Sequence, residues 1–115
     1  MKDLAIIAEA VKLIQAGELV AFPTETVYGL GANAFNEEAC LKIYQAKGRP
    51  SNNPLIVHVA SLEQAEELAI FNKEACLLSK LWPGPLTMVL PRRNSCRLAE
   101  CVTAGLPTVA IRVPA

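Results

Sequence analysis

An α/β fold is predicted by three observations. Amphipathic stretches of helical period alternate with short apolar runs of strand length, glycines and prolines punctuate the joins, and the composition is that of a globular chain. The 115 residues are 52% hydrophobic and 19% charged, with eight Pro and six Gly. These proportions exclude disorder, collagen-like repeats and low complexity. With no linker and no internal repeat, residues 1–115 are expected to form a single domain.

Leu4, Ile7, Val11 and Ile14 recur at three- and four-residue steps before Gly17, which predicts an amphipathic helix over 3–16. Leu19-Val20-Ala21-Phe22, ended by Pro23, reads as a buried strand, and Pro23 to Gly31 as the loop that leaves it. Asn36 is placed to cap a helix to about Ala46, with Glu37 and Glu38 at its positive end and Cys40, Ile43 and Tyr44 on one face. Leu55 to Val59 is a second buried-strand candidate. Ser61-Leu62-Glu63-Gln64 is a capping box that opens a helix to about Ala69. Asn72 caps a further helix to about Leu81, broken by Trp82-Pro83-Gly84-Pro85 because proline cannot continue the helical hydrogen bonding. Leu86–Leu90 reads as a strand, 91–107 as loop with one short helix near Arg97–Cys101, and Thr108–Val113 as the last strand. That strand is followed only by Pro114 and Ala115, with no helix to cover the sheet, so the chain is expected to be the N-terminal part of a larger domain.

No apolar run approaches the roughly 18 residues of a membrane helix, and Met1-Lys2-Asp3 does not open a signal peptide. A cytoplasmic protein without membrane association is expected. Four cysteines without a C-x-x-C, beside a single histidine, suit buried or idle thiols better than a zinc site, so no metal site is expected. The 11 acids and 11 bases cancel, but they are not mixed. Residues 1–41 hold two bases against six acids, and 42–58 hold Lys42, Lys47 and Arg49 with no acid. Residues 59–79 hold one base against four acids, and 80–115 five bases against one acid. If the two basic blocks meet, they make a positive site suited to a small anion such as a nucleotide; otherwise they are solvated charges.

The polar residues gather in the joins. Pro23-Thr24-Glu25-Thr26-Val27-Tyr28-Gly29-Leu30-Gly31 offers hydroxyls, a carboxylate and glycines that allow close backbone approach, but it is neither a P-loop nor a dinucleotide fingerprint. Taken alone it fits an ordinary turn better than a ligand loop. Lys47 and Arg49, with Asn53 nearby in a Gly- and Pro-punctuated loop, suit phosphate oxygens; they also suit a helix C-terminus. His58 on an apolar strand is either a satisfied core histidine or a group that orients a ligand. Thr108 and Arg112 share one face of the last strand, and an arginine there is costly to bury without an anion, whether a ligand or an internal carboxylate. No nucleophile–base pair is evident, and an aromatic content of 5% argues against a base-stacking platform. Catalysis would then rest on positioning and charge stabilisation, as in nucleotidyl transfer.

Pro23-Thr24-Glu25-Thr26-Val27-Tyr28-Gly29-Leu30, Lys47-Gly48-Arg49-Pro50, Asn53-Pro54-Leu55 with His58, Trp82-Pro83-Gly84-Pro85-Leu86-Thr87, and Ile111-Arg112-Val113-Pro114 occur in an order and spacing that resembles the YrdC/Sua5 family, from about Ala8 onward. The resemblance implies the YrdC-like (DHBP synthase-like) fold, an open, twisted mixed sheet with flanking helices and a concave positive face, incomplete here at the C-terminus. It implies an L-threonylcarbamoyladenylate synthase that joins L-threonine, bicarbonate and ATP, with Mg²⁺, and releases pyrophosphate. Its product serves the N6-threonylcarbamoyladenosine modification of tRNA through a downstream transferase machinery. By the same resemblance Thr26, His58 and Arg112 are the L-threonine-binding residues. Lys47, Arg49, Asn53 and Thr108 bind ATP, Lys47 and Arg49 also offsetting phosphate charge, and no residue is assigned as general base. The family's Ser-x-Asn motif is expected beyond Ala115; Ser51-Asn52-Asn53 matches it by letter only, because Asn53 belongs to Asn-Pro-Leu. Two other activities stand beside the synthase: the carbamoyl-adenylate-forming YrdC-like domain of carbamoyltransferases, and a non-catalytic module that binds double-stranded RNA or tRNA.

Overall fold

The computed structural model describes residues 4–23, 28–48 and 54–114. Its contacts divide the chain into two compact units, Met1–Pro50 and Ser51–Ala115. Among the described residues, no helix is long and apolar enough to cross a membrane.

In the first unit, α1 (Leu4–Gln15) follows the predicted helix and stops at Gly17, whose φ of 82° is the left-handed conformation glycine adopts cheaply. A side chain there would also meet the Asn36 amide at 2.9 Å. The strand β1 (Val20–Pro23) pairs antiparallel with β2 (Tyr28–Gly31), in the register Val20↔Gly31 to Pro23↔Tyr28. Half of the stretch expected to be loop is therefore strand. Gly29 and Gly31 carry no β-branched side chain to announce it, and the pairing partner supplies what local propensity does not. The helix α2 (Glu37–Lys47) begins as expected, with Asn36 Oδ1 accepting from the Ala39 amide at 3.0 Å. Cys40, Ile43 and Tyr44 are buried on one face. The helix runs one residue further than predicted, because Gly48 closes it in the left-handed conformation. Lys42, counted with the basic block, is engaged structurally: its Nζ donates to Gly17 O at 3.2 Å and lies 3.8 Å from Glu18.

In the second unit, β3 (Ile56–His58), β4 (Thr87–Pro91) and β5 (Thr108–Arg112) form a mixed sheet in the order β3-β5-β4. The strand β5 is central, parallel to β3 and antiparallel to β4. Between β3 and β4 lie α3 (Leu62–Leu68), α4 (Lys73–Leu78) and a 3₁₀ turn over Ser79–Leu81. Both predicted caps form: Ser61 Oγ accepts from the Gln64 amide at 3.3 Å, and Asn72 Oδ1 from the Ala75 amide at 2.8 Å. The capping box is closed one residue early, with Gln64 Oε1 accepting from Ala60 rather than from the cap itself. The short helix α5 (Glu100–Thr103) packs on β5 and ends at Ala104, a left-handed residue with φ 54°.

Alternation along the strands separates two faces. Val57, Met88, Val109 and Ile111 point into the core with Leu68, Leu98 and Val102, and Ile111 is fully buried. Burying a side chain of that size contributes roughly 2–3 kcal/mol. The opposite face carries Ile56, His58, Thr87, Val89, Thr108, Ala110 and Arg112, with Ile56 51% and Val89 66% exposed. The buried strand expected over Leu55–Val59 is shorter, Ile56–His58, and is covered on one face only.

Candidate functional site

The uncovered face of the second unit's sheet brings polar side chains into line. The register sets His58 beside Arg112 on one side and Thr87 beside Arg112 on the other. Paired residues on neighbouring strands point the same way, with strands about 4.8 Å apart, so three polar residues form one row across three strands. The next row, Ile56, Ala110 and Val89, is apolar. Thr108 lies on the same face as Arg112, four residues earlier on β5 and opposite Pro91, about 13 Å from Arg112 along the strand.

Arg112 is held from behind by a backbone carbonyl. Its Nε donates to Gly84 O at 3.3 Å, while the Gly84 amide donates to Val113 O at 2.9 Å. A Cβ on Gly84 would stand 3.0 Å from Leu81 O, so the residue that reaches the arginine has to be small. The segment is fixed by Trp82, whose indole donates to Leu86 O at 2.7 Å and meets Phe71 edge-on at a centroid distance of 6.2 Å. The Trp82-Pro83 peptide is cis. Among the described residues no carboxylate pairs with Arg112, and none of them accepts from its terminal guanidinium nitrogens.

His58 is not a core residue; it is on the exposed face, its ring partly shielded from water. Its pKa is lowered, first by that burial and then by the neighbouring Arg112 charge, and both favour the neutral imidazole. The ring nitrogens make no hydrogen bond within the described residues.

A second polar feature was not read from sequence. A depression of about 330 Å³ is lined by Arg92, Arg93, Asn94, Glu100 and Pro107. Arg92 organises it: Nε donates to Cys96 Sγ at 3.0 Å, one terminal nitrogen to Thr103 Oγ1 at 3.0 Å, and the other to Leu98 O at 2.8 Å, with Glu100 at 3.6 Å. This guanidinium pins the 96–103 segment. No local signal marks that role, because its acceptors lie four to eleven residues away, in the loop before α5 and at the end of α5 itself.

Of the residues singled out in the sequence, the structure brings His58, Thr108 and Arg112 onto one face. Thr26, Arg49 and Asn53 lie outside the described residues. Lys47 closes α2 in the first unit with its backbone, and its side chain is outside the described set. Thr87 and Gly84 were read only as parts of the Trp-Pro-Gly-Pro-Leu-Thr stretch, and the pairing with β5 gives them their places. Among the described residues, no group of three or more His, Cys, Asp or Glu could hold a metal ion.

A family model described as "Telomere recombination" (Sua5/YciO/YrdC) matches residues 12–115. The chain is 56% identical over 110 residues to the threonylcarbamoyl-AMP synthase of Bacillus subtilis, covering 94% of this chain and 32% of that protein. It is 55% identical over 108 residues to the enzyme of the same name from Pyrococcus abyssi, covering 92% and 31%. Among solved structures, P. abyssi Sua5 complexed with L-threonine superposes with a TM-score of 0.91 at 53% identity, over 100% of this chain and 34% of that one. The chain thus spans about a third of the length of these relatives.

Proposed function

The chain belongs to the Sua5/YciO/YrdC family, and on that premise we propose that it is an L-threonylcarbamoyladenylate synthase. The observation that carries this reading is Arg112: a strand arginine on an open face, without a carboxylate partner among the described residues, beside a neutral-leaning histidine. An α-carboxylate is the anion such a guanidinium suits, since it accepts two parallel hydrogen bonds from one fork. A relative of 53% identity has been solved with L-threonine bound.

In this reading Arg112 holds the threonine carboxylate, with His58 and Thr26 completing the amino-acid site. Lys47, Arg49, Asn53 and Thr108 hold ATP. The threonine amine adds to carbon dioxide with loss of a proton, or to bicarbonate with loss of water, giving a carbamate. A carbamate oxygen then attacks the α-phosphorus of ATP, forming threonylcarbamoyl-adenylate as the bond to the β-phosphate oxygen breaks and pyrophosphate leaves. Lys47 and Arg49 offset the charge that builds on the phosphates, and positioning supplies the rest. With Mg²⁺ bound to the ATP phosphates, part of that charge would be offset by the ion, and Lys47 and Arg49 would offset the rest. The lowered pKa of His58 keeps it a neutral hydrogen-bonding group beside Arg112. The adenylate passes to a transferase that modifies tRNA, and the setting is the cytoplasm, in keeping with four cysteines that form no disulfide.

The test is pyrophosphate release from ATP. It is expected to require both L-threonine and bicarbonate; release at the same rate without threonine would falsify the synthase reading.

A further inference from the structure

Thr87 completes the polar row, and we propose that its hydroxyl is a substrate-positioning group that donates to the same amino-acid carboxylate as Arg112. The inference deepens the synthase reading and rests on it. Thr87 is directly opposite Arg112 in the antiparallel β4–β5 pair, on the open face. Side chains so paired have Cβ atoms about 4.5–5.5 Å apart, so a carboxylate lying on the guanidinium is within reach of the neighbouring hydroxyl. The hydroxyl makes no hydrogen bond of its own among the described residues, and the residue is partly exposed rather than buried.

The surroundings make this a placed group rather than one of many. Next to Thr87 on the same face of β4 is Val89, followed by Pro91, neither of which offers a side-chain donor. The row behind is Ile56, Ala110 and Val89. The polar donors of the strand residues near Arg112 are thus His58 on one flank and Thr87 on the other, with Arg112 between them. A ligand small enough to lie on Arg112 is bracketed by an imidazole and a hydroxyl, the arrangement that fits an amino-acid head group carrying both a carboxylate and an amine-derived substituent. Threonine suits the position because its hydroxyl is a donor and its branched Cβ suits the strand.

The experiment measures calorimetric binding of L-threonine, and separately of ATP, to the intact protein and to Thr87→Val, Thr87→Ser and Arg112→Met. Valine keeps the shape and the strand preference while removing only the hydroxyl. Thr87→Val is expected to weaken L-threonine binding about tenfold, the usual worth of a hydrogen bond to a charged group, with ATP binding unchanged. Thr87→Ser is expected to restore threonine binding to within about threefold, since the donor returns. Threonine binding by Thr87→Val within about twofold of the parent, while Arg112→Met loses it, overturns this inference and leaves the synthase reading standing. Equal weakening of threonine and ATP by both Thr87 variants also overturns it, because that is the mark of a structural residue. Undiminished threonine binding by Arg112→Met brings down the amino-acid site itself, and this inference with it.

Discussion

The two arginine neighbourhoods of the second unit make opposite use of the same side chain. Arg92, just past the end of β4, gives its donors to Cys96, Thr103 and Leu98 and lies 3.6 Å from Glu100. Arg112, at the end of β5, gives one donor to Gly84, and its terminal nitrogens find no acceptor among the described residues. Both residues follow apolar strand sequence, and both fall within the same basic block. What sets the structural arginine apart from the one proposed to bind a ligand is thus the inventory of acceptors the described residues supply, since a guanidinium with its donors satisfied has little left to offer an anion.

The comparison can be broken most forcefully at Arg92. Arg92→Met is expected to destabilise the protein by about 2–4 kcal/mol, because Leu98 O and the nearly fully buried Thr103 lose their charged partner. Urea unfolding measures this, and a loss under about 1 kcal/mol would mean that the loop is held by its packing instead. The counterpart, Arg112→Met, is expected to change stability by no more than about 1 kcal/mol, the worth of one hydrogen bond, while weakening L-threonine binding by roughly 10–100-fold. A large stability loss with an unchanged binding constant would place Arg112 in the same class as Arg92.

Gly84→Ala sharpens the contrast from behind the site. The added methyl would stand 3.0 Å from Leu81 O, so the turn that supplies the only internal acceptor of Arg112 among the described residues has to shift. A cost of about 1 kcal/mol in thermal or urea unfolding is expected, at the lower end of overpacking effects. The smallest effect is a pH dependence at His58. Its pKa in the folded protein lies below the ordinary value of 6.5, so the unfolded chain binds the proton more readily. Stability is therefore complete above about pH 6.5 and declines as the pH falls through that value towards the folded-state pKa. His58→Gln is expected to flatten this part of the stability profile, measured as Tm between pH 7.5 and 5; an unchanged profile would show that the ring is as well solvated as in the unfolded chain.

Much of the architecture is legible in the linear chain. The caps at Asn36, Ser61 and Asn72, the stop at Gly17 and the last strand each rest on residues within a few positions of one another, where short-range hydrogen bonding and side-chain period decide the outcome. The strand at Tyr28–Gly31 was not legible, because two of its four residues are glycines and its stability comes from pairing with β1. His58, Thr108 and Arg112 could be singled out by residue type and alternation, and the family pattern gave them roles. Whether His58 was a core residue or an exposed one could not be decided from Leu55–Val59 alone, since an apolar strand looks the same covered on one face or on two.

The sequence by itself determined the α/β class, the helix boundaries to within about three residues, the family, and the oddity of an arginine on an apolar strand. Only the tertiary structure decided which face of the second unit's sheet is open, that Arg112 has Gly84 behind it and no carboxylate among the described residues beside it, and that Thr87 stands next to it. The physical reason is range. Capping and periodicity act within a turn or a pleat, whereas the neighbours of Arg112 come from positions 58, 84 and 87, brought to it by strand pairing across the sheet.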